Sequence, residues 1–311
     1  MTGAGPLQEA LADYLSLRRA LGYRLVTTQR LLEQFLDYLQ DADQVTITVQ
    51  SSLLWACLPV DAGAAWRAQR LAAIRGFATY LHTLDPVHEV PAADLLPRRT
   101  NRATPYLFSD HDIAAMITAA KSLPTPLRRA TFATLFGLLA VTGMRVGEAI
   151  RLDRADVDLD IGVLLVRHSK FNKTRELVVH PSTRDALRQH RADQARLAPR
   201  ARTDAFFVSN AGTRLLYRNV QRVFQQLVTT LGLTTRSASG HPRLHDLRHS
   251  FAVASMLDAY AAGHDGQARL ALISTYLGHV HPTCTYWYLS ASPELMAVAG
   301  QRLDTHLAGR P

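Results

Sequence analysis

The chain has 311 residues, of which 47% are hydrophobic and 20% are charged. This balance is typical of a globular protein with a buried core, and it excludes a largely disordered chain. The 35 basic and 26 acidic residues give a net charge of +9, which favours a polyanionic partner, with nucleic acid as the first candidate.

Three further features limit the class of protein. No apolar run reaches the roughly 18–20 residues of a membrane span, and the N-terminal segment lacks the pattern of a signal peptide. Cys57 and Cys284 are the only cysteines, too few for a disulfide framework or a cysteine-rich metal site. We therefore expect a cytoplasmic protein with no membrane partner.

The first hundred residues have the apolar spacing of helices. Leucines recur at helical intervals in the first segment, and Leu32, Phe35, Leu36 and Leu39 do so in the second. The predicted helices cover residues 6–21, 26–40 and 63–83, with a shorter one near 50–57. These helices predict a small bundle over residues 1–97.

A change in charge and composition marks a domain boundary. Residues 1–100 hold nine arginines, no lysine and ten acidic residues, so the positive excess lies after residue 100. Residues 98–105 are mostly polar or basic and end at Pro105, with Pro97 just before them, which disfavours a continuous helix. We predict a linker at 98–105 and a second domain at 106–311.

The second domain combines helices with a small β-sheet. Ser109 is a helix N-cap candidate, residues 126–142 are apolar enough for a buried helix, and another helix starts within 145–152. The β-rich stretches near 158–167 and 175–180 predict a hairpin with residues 169–174 at its tip, and helices follow Pro181. The predicted fold class is mainly α with a small β-sheet.

Two motifs carry cations in the first half of this domain. Arg145 follows a Thr-Gly break at a helix start, where anions bind well, and Glu148 could hold its guanidinium. Taken alone, this motif is explained more simply as a surface Arg–Glu pair. The hairpin tip carries Lys170 and Lys173, either a proton donor reaching into a groove or a solvated basic turn.

Two more motifs follow in the second half. His245 and Arg248 are three residues apart and share a helix face, as an acid–base group and a phosphate clamp. His241 and His249 add a competing hypothesis, a histidine metal site. The fourth motif pairs His279, which follows a glycine, with Tyr286 and Tyr288.

Together these residues suit one kind of chemistry. Two arginines, a lysine and two histidines can neutralise a phosphodiester, and a tyrosine can attack it. The chain has no carboxylate cluster suited to Mg²⁺, so the charge must be stabilised by side chains. No cofactor is expected.

The order of these residues resembles the tyrosine recombinase (phage integrase) family, in particular its Xer-like and transposon-encoded site-specific recombinases. Four segments of the chain are similar to the signature segments of this family. They are Thr-Gly-Met-Arg-Val-Gly-Glu, Ser-Lys-Phe-Asn-Lys, His-Asp-Leu-Arg-His, and Leu-Gly-His followed by tyrosine. The resemblance implies a SAM-like helical core-binding domain in residues 1–97. It also implies an α+β catalytic domain in residues 106–311.

The resemblance implies a role for each residue. Tyr288 would attack the scissile phosphate, Arg145 and Arg248 would bind its non-bridging oxygens, and Lys170 would protonate the leaving 5′-oxygen. His245 would act as acid–base group and His279 would hydrogen-bond the phosphate. Lys173 and Tyr286 remain alternatives to Lys170 and Tyr288, and Glu148 is a supporting residue.

The resemblance also implies the partners. We expect double-stranded DNA recombination sites and a tetramer on two sites, formed by copies of this chain or by related recombinase subunits. The outcome could be integration, excision, transposition or resolution of dimers. The alternatives are DNA relaxation of the type IB topoisomerase kind and a non-catalytic DNA-binding protein on the same scaffold. We expect a nucleoid-associated, bacterial-type protein.

Overall fold

The structure is a computed structural model that describes residues 5–97, 104–167, 173–235 and 241–278, together with 295–298, 300, 301 and 304. The chain divides into two compact units, Met1–Arg102 and Ala103–Pro311, called the N-terminal and C-terminal units below. Most of the predicted linker, residues 98–103, lies outside the described residues.

The N-terminal unit is a helical bundle. Its helices are α1 (Pro6–Ala20), α2 (Val26–Asp41), α3 (Val49–Cys57) and α4 (Ala64–Leu84). Apolar side chains from all four, including Leu32, Phe35, Trp55 and Phe77, form one buried core. A capping box between Thr48 and Ser51 starts α3.

Several arginines of this bundle are part of its packing. The Arg70 guanidinium lies 3.5 Å above the Trp55 ring and donates a 2.7 Å hydrogen bond to the Trp55 carbonyl. Arg67 donates to the carbonyls of Pro59 and Val60, and Arg18 stacks on Tyr23. These side chains contribute to the fold of the unit.

Within residues 104–278, the described part of the C-terminal unit has seven further α-helices, which pack around a second core and, for the last two, around a separate smaller one. They are α5 (Asp110–Ala120), α6 (Pro126–Thr142), α7 (Val146–Arg151), α8 (Pro181–Leu197), α9 (Tyr217–Thr230), α10 (Asp246–Ala261) and α11 (Gly266–Leu277). The predicted capping residue Ser109 accepts a hydrogen bond from the Asp112 N–H at 3.2 Å. Phe136, Leu164, Leu177 and Phe224 belong to the larger core, in which helices pack against the sheet.

The sheet has three antiparallel strands in the order β1 (Val157–Asp158), β2 (Val163–Val166) and β3 (Arg175–Val178). Val166 pairs with Arg175, so β2 and β3 form a hairpin whose connection carries the lysine motif. The mainly helical fold with a small sheet confirms the predicted fold class. Among the described residues, no helix combines the length and apolar character needed to cross a membrane.

Candidate active site

Arg145 stands at the junction between two helices. α6 ends at Thr142, and Gly143 then adopts a left-handed backbone with φ of 58°, which glycine tolerates best. Arg145 is the N-cap of α7, and its backbone N–H donates to Glu148 Oε2 at 2.9 Å. Its Nη1 donates to Glu148 Oε1, also at 2.9 Å. The Glu148 carboxylate therefore fixes both the backbone N–H and the guanidinium of Arg145.

A second arginine, which the sequence did not single out as a site residue, shares that carboxylate. Arg175 Nη2 donates to Glu148 Oε2 at 2.8 Å and Nη1 donates to Oε1 at 3.2 Å. The Glu148 side chain is only 1% exposed. Burial alone would raise the pKa of Glu148, but the hydrogen bonds and charges of Arg175 and Arg145 outweigh it and lower the pKa to about 2. Glu148 is therefore a carboxylate at neutral pH.

Arg248 joins three of the four motifs. It lies in the first turn of α10 and is 1% exposed. Its Nη1 donates to the Gly143 carbonyl at 2.8 Å, two residues before Arg145. Its Nη2 donates to the Leu277 carbonyl at 2.7 Å, two residues before His279. One guanidinium therefore connects Gly143, which is 105 positions before Arg248, with Leu277, which is 29 positions after it.

His245 is the N-cap of α10, one residue before the helix begins. Loss of hydration around part of its ring lowers the pKa of His245, and three neighbouring guanidinium groups lower it further, to about 4. Those groups belong to Arg248, Arg145 and Arg243. The imidazole is therefore neutral at pH 7 and able to accept a proton.

Arg243 is a second cation that the sequence reasoning missed. Its Nη2 donates to Asp246 Oδ1 at 2.9 Å and its Nε donates to Oδ2 at 3.3 Å. Asp246 is fully buried, whereas the Arg243 side chain is half exposed. The signal for it in the sequence is the spacing of three residues between Arg243 and Asp246, which allows an ion pair at the start of a helix.

Of the remaining predicted site residues, the structure describes only Lys173. Lys170, His279, Tyr286 and Tyr288 lie outside the described residues, and their roles stay predictions. Lys173 is described and is exposed. In the chain, Lys170 lies between β2 and β3, and His279 directly follows Gly278, the left-handed C-cap of α11.

The histidine metal site has no support among the described residues. His241 precedes α10, so His241, His245 and His249 do not share one helix. The rings of His245 and His249 meet edge to face with centroids 4.9 Å apart. The described part of the chain contains no group of three histidine, cysteine, aspartate or glutamate side chains arranged to hold a metal ion.

Comparison with known proteins gives consistent matches. Residues 107–294 match the model of the phage integrase family. The chain is 41% identical over 303 residues to the putative integrase/recombinase y4rB of Sinorhizobium fredii (strain NBRC 101917 / NGR234), with 96% of each chain covered. It is 29% identical over 289 residues to the tyrosine recombinase XerC of Escherichia coli O139:H28 (strain E24377A / ETEC), with 90% of each covered.

A solved structure has the same fold. The XerH site-specific recombinase, determined on a palindromic difH substrate after cleavage, matches with a TM-score of 0.64 at 17% identity. The match covers 89% of this chain and 79% of XerH. The resemblance found in the sequence is thereby confirmed: the chain belongs to the phage integrase family of tyrosine recombinases.

Proposed function

We propose that this tyrosine recombinase cuts and rejoins DNA at specific sites through Tyr288. The Tyr288 oxygen attacks the scissile phosphorus and loses its proton, the bond from phosphorus to the 5′-oxygen breaks, and that oxygen gains a proton. The DNA is left with a 3′-phosphotyrosyl bond and a free 5′-hydroxyl. A 5′-hydroxyl from a second DNA site reverses the step and completes strand exchange.

The observation that carries this proposal is the convergence of Arg145, His245 and Arg248. Arg248 links the segments that lead into Arg145 and His279, and the charges of both arginines act on His245. Fixed cations stabilise the extra negative charge that develops on the phosphate in the transition state. We assign the binding of the non-bridging oxygens to Arg145 and Arg248, with a further hydrogen bond from His279.

Proton transfer needs one acceptor and one donor. His245 is neutral at pH 7 because its pKa is about 4, and in this state it can accept the proton of Tyr288 directly or through water. Lys170 is the proposed donor to the leaving 5′-oxygen, and Lys173 is the alternative. Because each step exchanges one phosphoester for another, this scheme uses neither a nucleotide nor a cofactor.

The proposed partner is double-stranded DNA, which we expect to be contacted by a core-binding domain in residues 1–97 and by a catalytic domain in residues 106–311. Four subunits on two sites would supply the four cleavages of a complete exchange, either from one chain or from related recombinases. We place the protein at the nucleoid. The XerH match, which was determined on its difH substrate, supports this assignment of the partner.

The experiment starts by finding the DNA target. Covalent protein–DNA adducts are purified under denaturing conditions from cells that make the protein, and the attached DNA is sequenced. We expect one sequence class, and two copies of it should exchange strands in purified reactions. Supercoil relaxation without strand exchange would support the topoisomerase alternative, and DNA binding without any adduct would support the non-catalytic one. Activity that is lost in EDTA would contradict the metal-free scheme.

A further inference from the structure

Arg175 occupies a junction between three elements of the C-terminal unit. It is the first residue of β3 and pairs with Val166 across the hairpin. Its side chain is 13% exposed, which is low for an arginine. It touches α7 through Glu148 and the last turn of α11 through Tyr276.

The contact with α7 passes directly to Arg145. Arg175 binds both oxygens of Glu148, and the same two oxygens bind the Arg145 backbone and side chain. A paired arginine–carboxylate contact of this kind fixes orientation as well as distance. Glu148 is thereby held from two sides, and the Arg145 guanidinium has a fixed partner.

Charge is a separate part of the argument. Glu148 stays ionised because its pKa is about 2, so Arg145 and Glu148 alone would form a neutral pair. Arg175 restores one positive charge to the group of three. A phosphate approaching Arg145 therefore meets a net cation in a poorly hydrated setting, where charge acts strongly.

The contact with α11 supports the end of that helix. Arg175 Nε donates to the Tyr276 carbonyl at 3.1 Å, and Arg248 donates to the next carbonyl, that of Leu277. Cationic side chains suit the carbonyls at a helix C-terminus. At Gly278 an added Cβ would lie 3.0 Å from Arg175 Nη1, so the packing there is close.

We infer that Arg175 is a positioning residue for DNA cleavage: it fixes Glu148, and so Arg145, and it offsets the charge of Glu148 so that the charge of Arg145 acts on the phosphate. This inference rests on the proposed function. It adds a residue to the site without placing that residue in contact with DNA.

The test compares two substrates that differ in charge at the scissile phosphate. One is the normal phosphodiester of the recovered target sequence. The other carries a methylphosphonate there, in which a methyl group replaces one non-bridging oxygen and removes the negative charge. The measured quantity is the single-turnover rate of covalent adduct formation at saturating protein. The proteins are wild type, Arg175→Gln, Arg145→Gln and the control Arg167→Gln.

Arg167 is a matched control because it follows β2 on the same hairpin and pairs with Asp156 at 2.5 Å. The Arg167→Gln change removes the same charge without touching Glu148. We expect it to slow cleavage by less than about threefold on either substrate, since it misplaces no group beside the phosphate.

On the phosphodiester, we expect Arg175→Gln to slow cleavage by roughly tenfold to hundredfold, as misplaced reacting groups do. On the methylphosphonate, this loss should shrink to less than about threefold, and Arg145→Gln should behave in the same way, because less charge needs to be offset. If Arg175→Gln melts below the assay temperature, Arg175→Lys replaces it. A single ammonium cannot hold both Glu148 oxygens and the Tyr276 carbonyl, so the same pattern is expected.

The inference would be overturned if Arg175→Gln lost the same fraction of its cleavage rate on both substrates. It would also be overturned if Arg175→Gln cleaved the phosphodiester as fast as the wild-type protein does. Failure of the wild-type protein to form an adduct with either substrate would contradict the proposed function itself. The two failures are therefore distinguishable.

Discussion

At the scale of single residues, the site depends on groups whose protonation states are fixed by their neighbours. Glu148 is a buried anion between Arg145 and Arg175, and His245 is a neutral histidine among cations. The sequence identified three of these four residues, because Glu148 lies only three positions from Arg145. Arg175 was missed as a site residue because 27 positions separate it from Glu148, and no short motif reports such a contact.

Glu148 should make the free energy of unfolding depend on pH in the acid range. Its carboxyl has a pKa of about 2 in the folded chain and an ordinary value of 4.5, so ionisation favours the folded state by about 3 kcal/mol above pH 4.5. This contribution is lost as the pH falls from 4.5 towards 2. We expect Glu148→Gln to lower the free energy of unfolding by about this amount at pH 7 and to flatten its decline below pH 4.5. Urea unfolding at pH 7, 4.5 and 3.5 measures both effects, and parallel pH curves for the two proteins would contradict this assignment.

His245 should set the acid limit of cleavage. Its neutral form is the proposed base, and that form is lost only as the pH falls through about 4. The second-order rate of adduct formation should therefore show no decline due to His245 between pH 8 and about pH 5.5. The decline should begin below this range in the wild-type protein and be absent in His245→Gln. A decline centred near the ordinary histidine value would show that His245 is not held neutral.

Arg243 offers a check on what lowers the pKa of His245. Its charge lowers the pKa of His245. In Arg243→Gln, the acid limb of the pH–rate profile, where adduct formation declines, should therefore move towards neutral pH. The plateau rate is the internal control for damage to the site. If the acid limb is unchanged, the partial loss of hydration and the charges of Arg248 and Arg145 account for the whole lowering of the His245 pKa.

At the scale of elements, local sequence was informative about helices and less so about their contacts. Apolar spacing placed α1, α2 and α4 within about two residues of their observed ends, because amphipathic helices bury one face. The hairpin was predicted, whereas the short strand β1 was not recognised as a separate strand. The crossing of α6, α10 and α11 could not be predicted, since it depends on Gly143 and on two carbonyls that Arg248 reaches across the fold.

Gly143 should tolerate no side chain at this crossing. An added Cβ would lie 2.5 Å from Phe251 Cδ1 and 2.9 Å from Leu277 Cδ2, and φ is +58°. Gly232 is a matched control because its φ is +61° with nothing within 4 Å. We expect Gly232→Ala to lower the free energy of unfolding by about 1 kcal/mol and Gly143→Ala to lower it by about 2–4 kcal/mol. Gly143→Ala should also slow cleavage, and equal losses of stability would contradict the proposed close packing.

At the scale of the whole molecule, the net charge of +9 is not a direct measure of DNA contact. In the N-terminal unit, Arg18, Arg67 and Arg70 stack on rings or donate to carbonyls, and Arg19 binds Gln29. Composition could not reveal which arginines take part in the packing of the unit. The other arginines of the described bundle, Arg24, Arg30 and Arg75, are our candidates for phosphate contacts.

These three arginines should carry part of the salt dependence of DNA binding. Each phosphate contact contributes about 0.9 to the slope of log affinity against log salt concentration. Replacing all three by glutamine should reduce the slope by up to about 3. The control replaces Arg154, Arg188 and Arg196, which pair with aspartates, and should change the slope less. Fluorescence anisotropy over a range of KCl concentrations measures both, and equal slopes for the two triple variants would contradict the assignment.

The central claim is that Tyr288 forms the covalent bond to DNA. The direct test uses a substrate with a nick beside the scissile phosphate, so that the released fragment diffuses away and the adduct accumulates. The account predicts that Tyr288→Phe forms no adduct, whereas Tyr286→Phe forms it at close to the wild-type level. Adduct formation by Tyr288→Phe, with loss of the adduct in Tyr286→Phe, would contradict the account and assign the nucleophile to Tyr286.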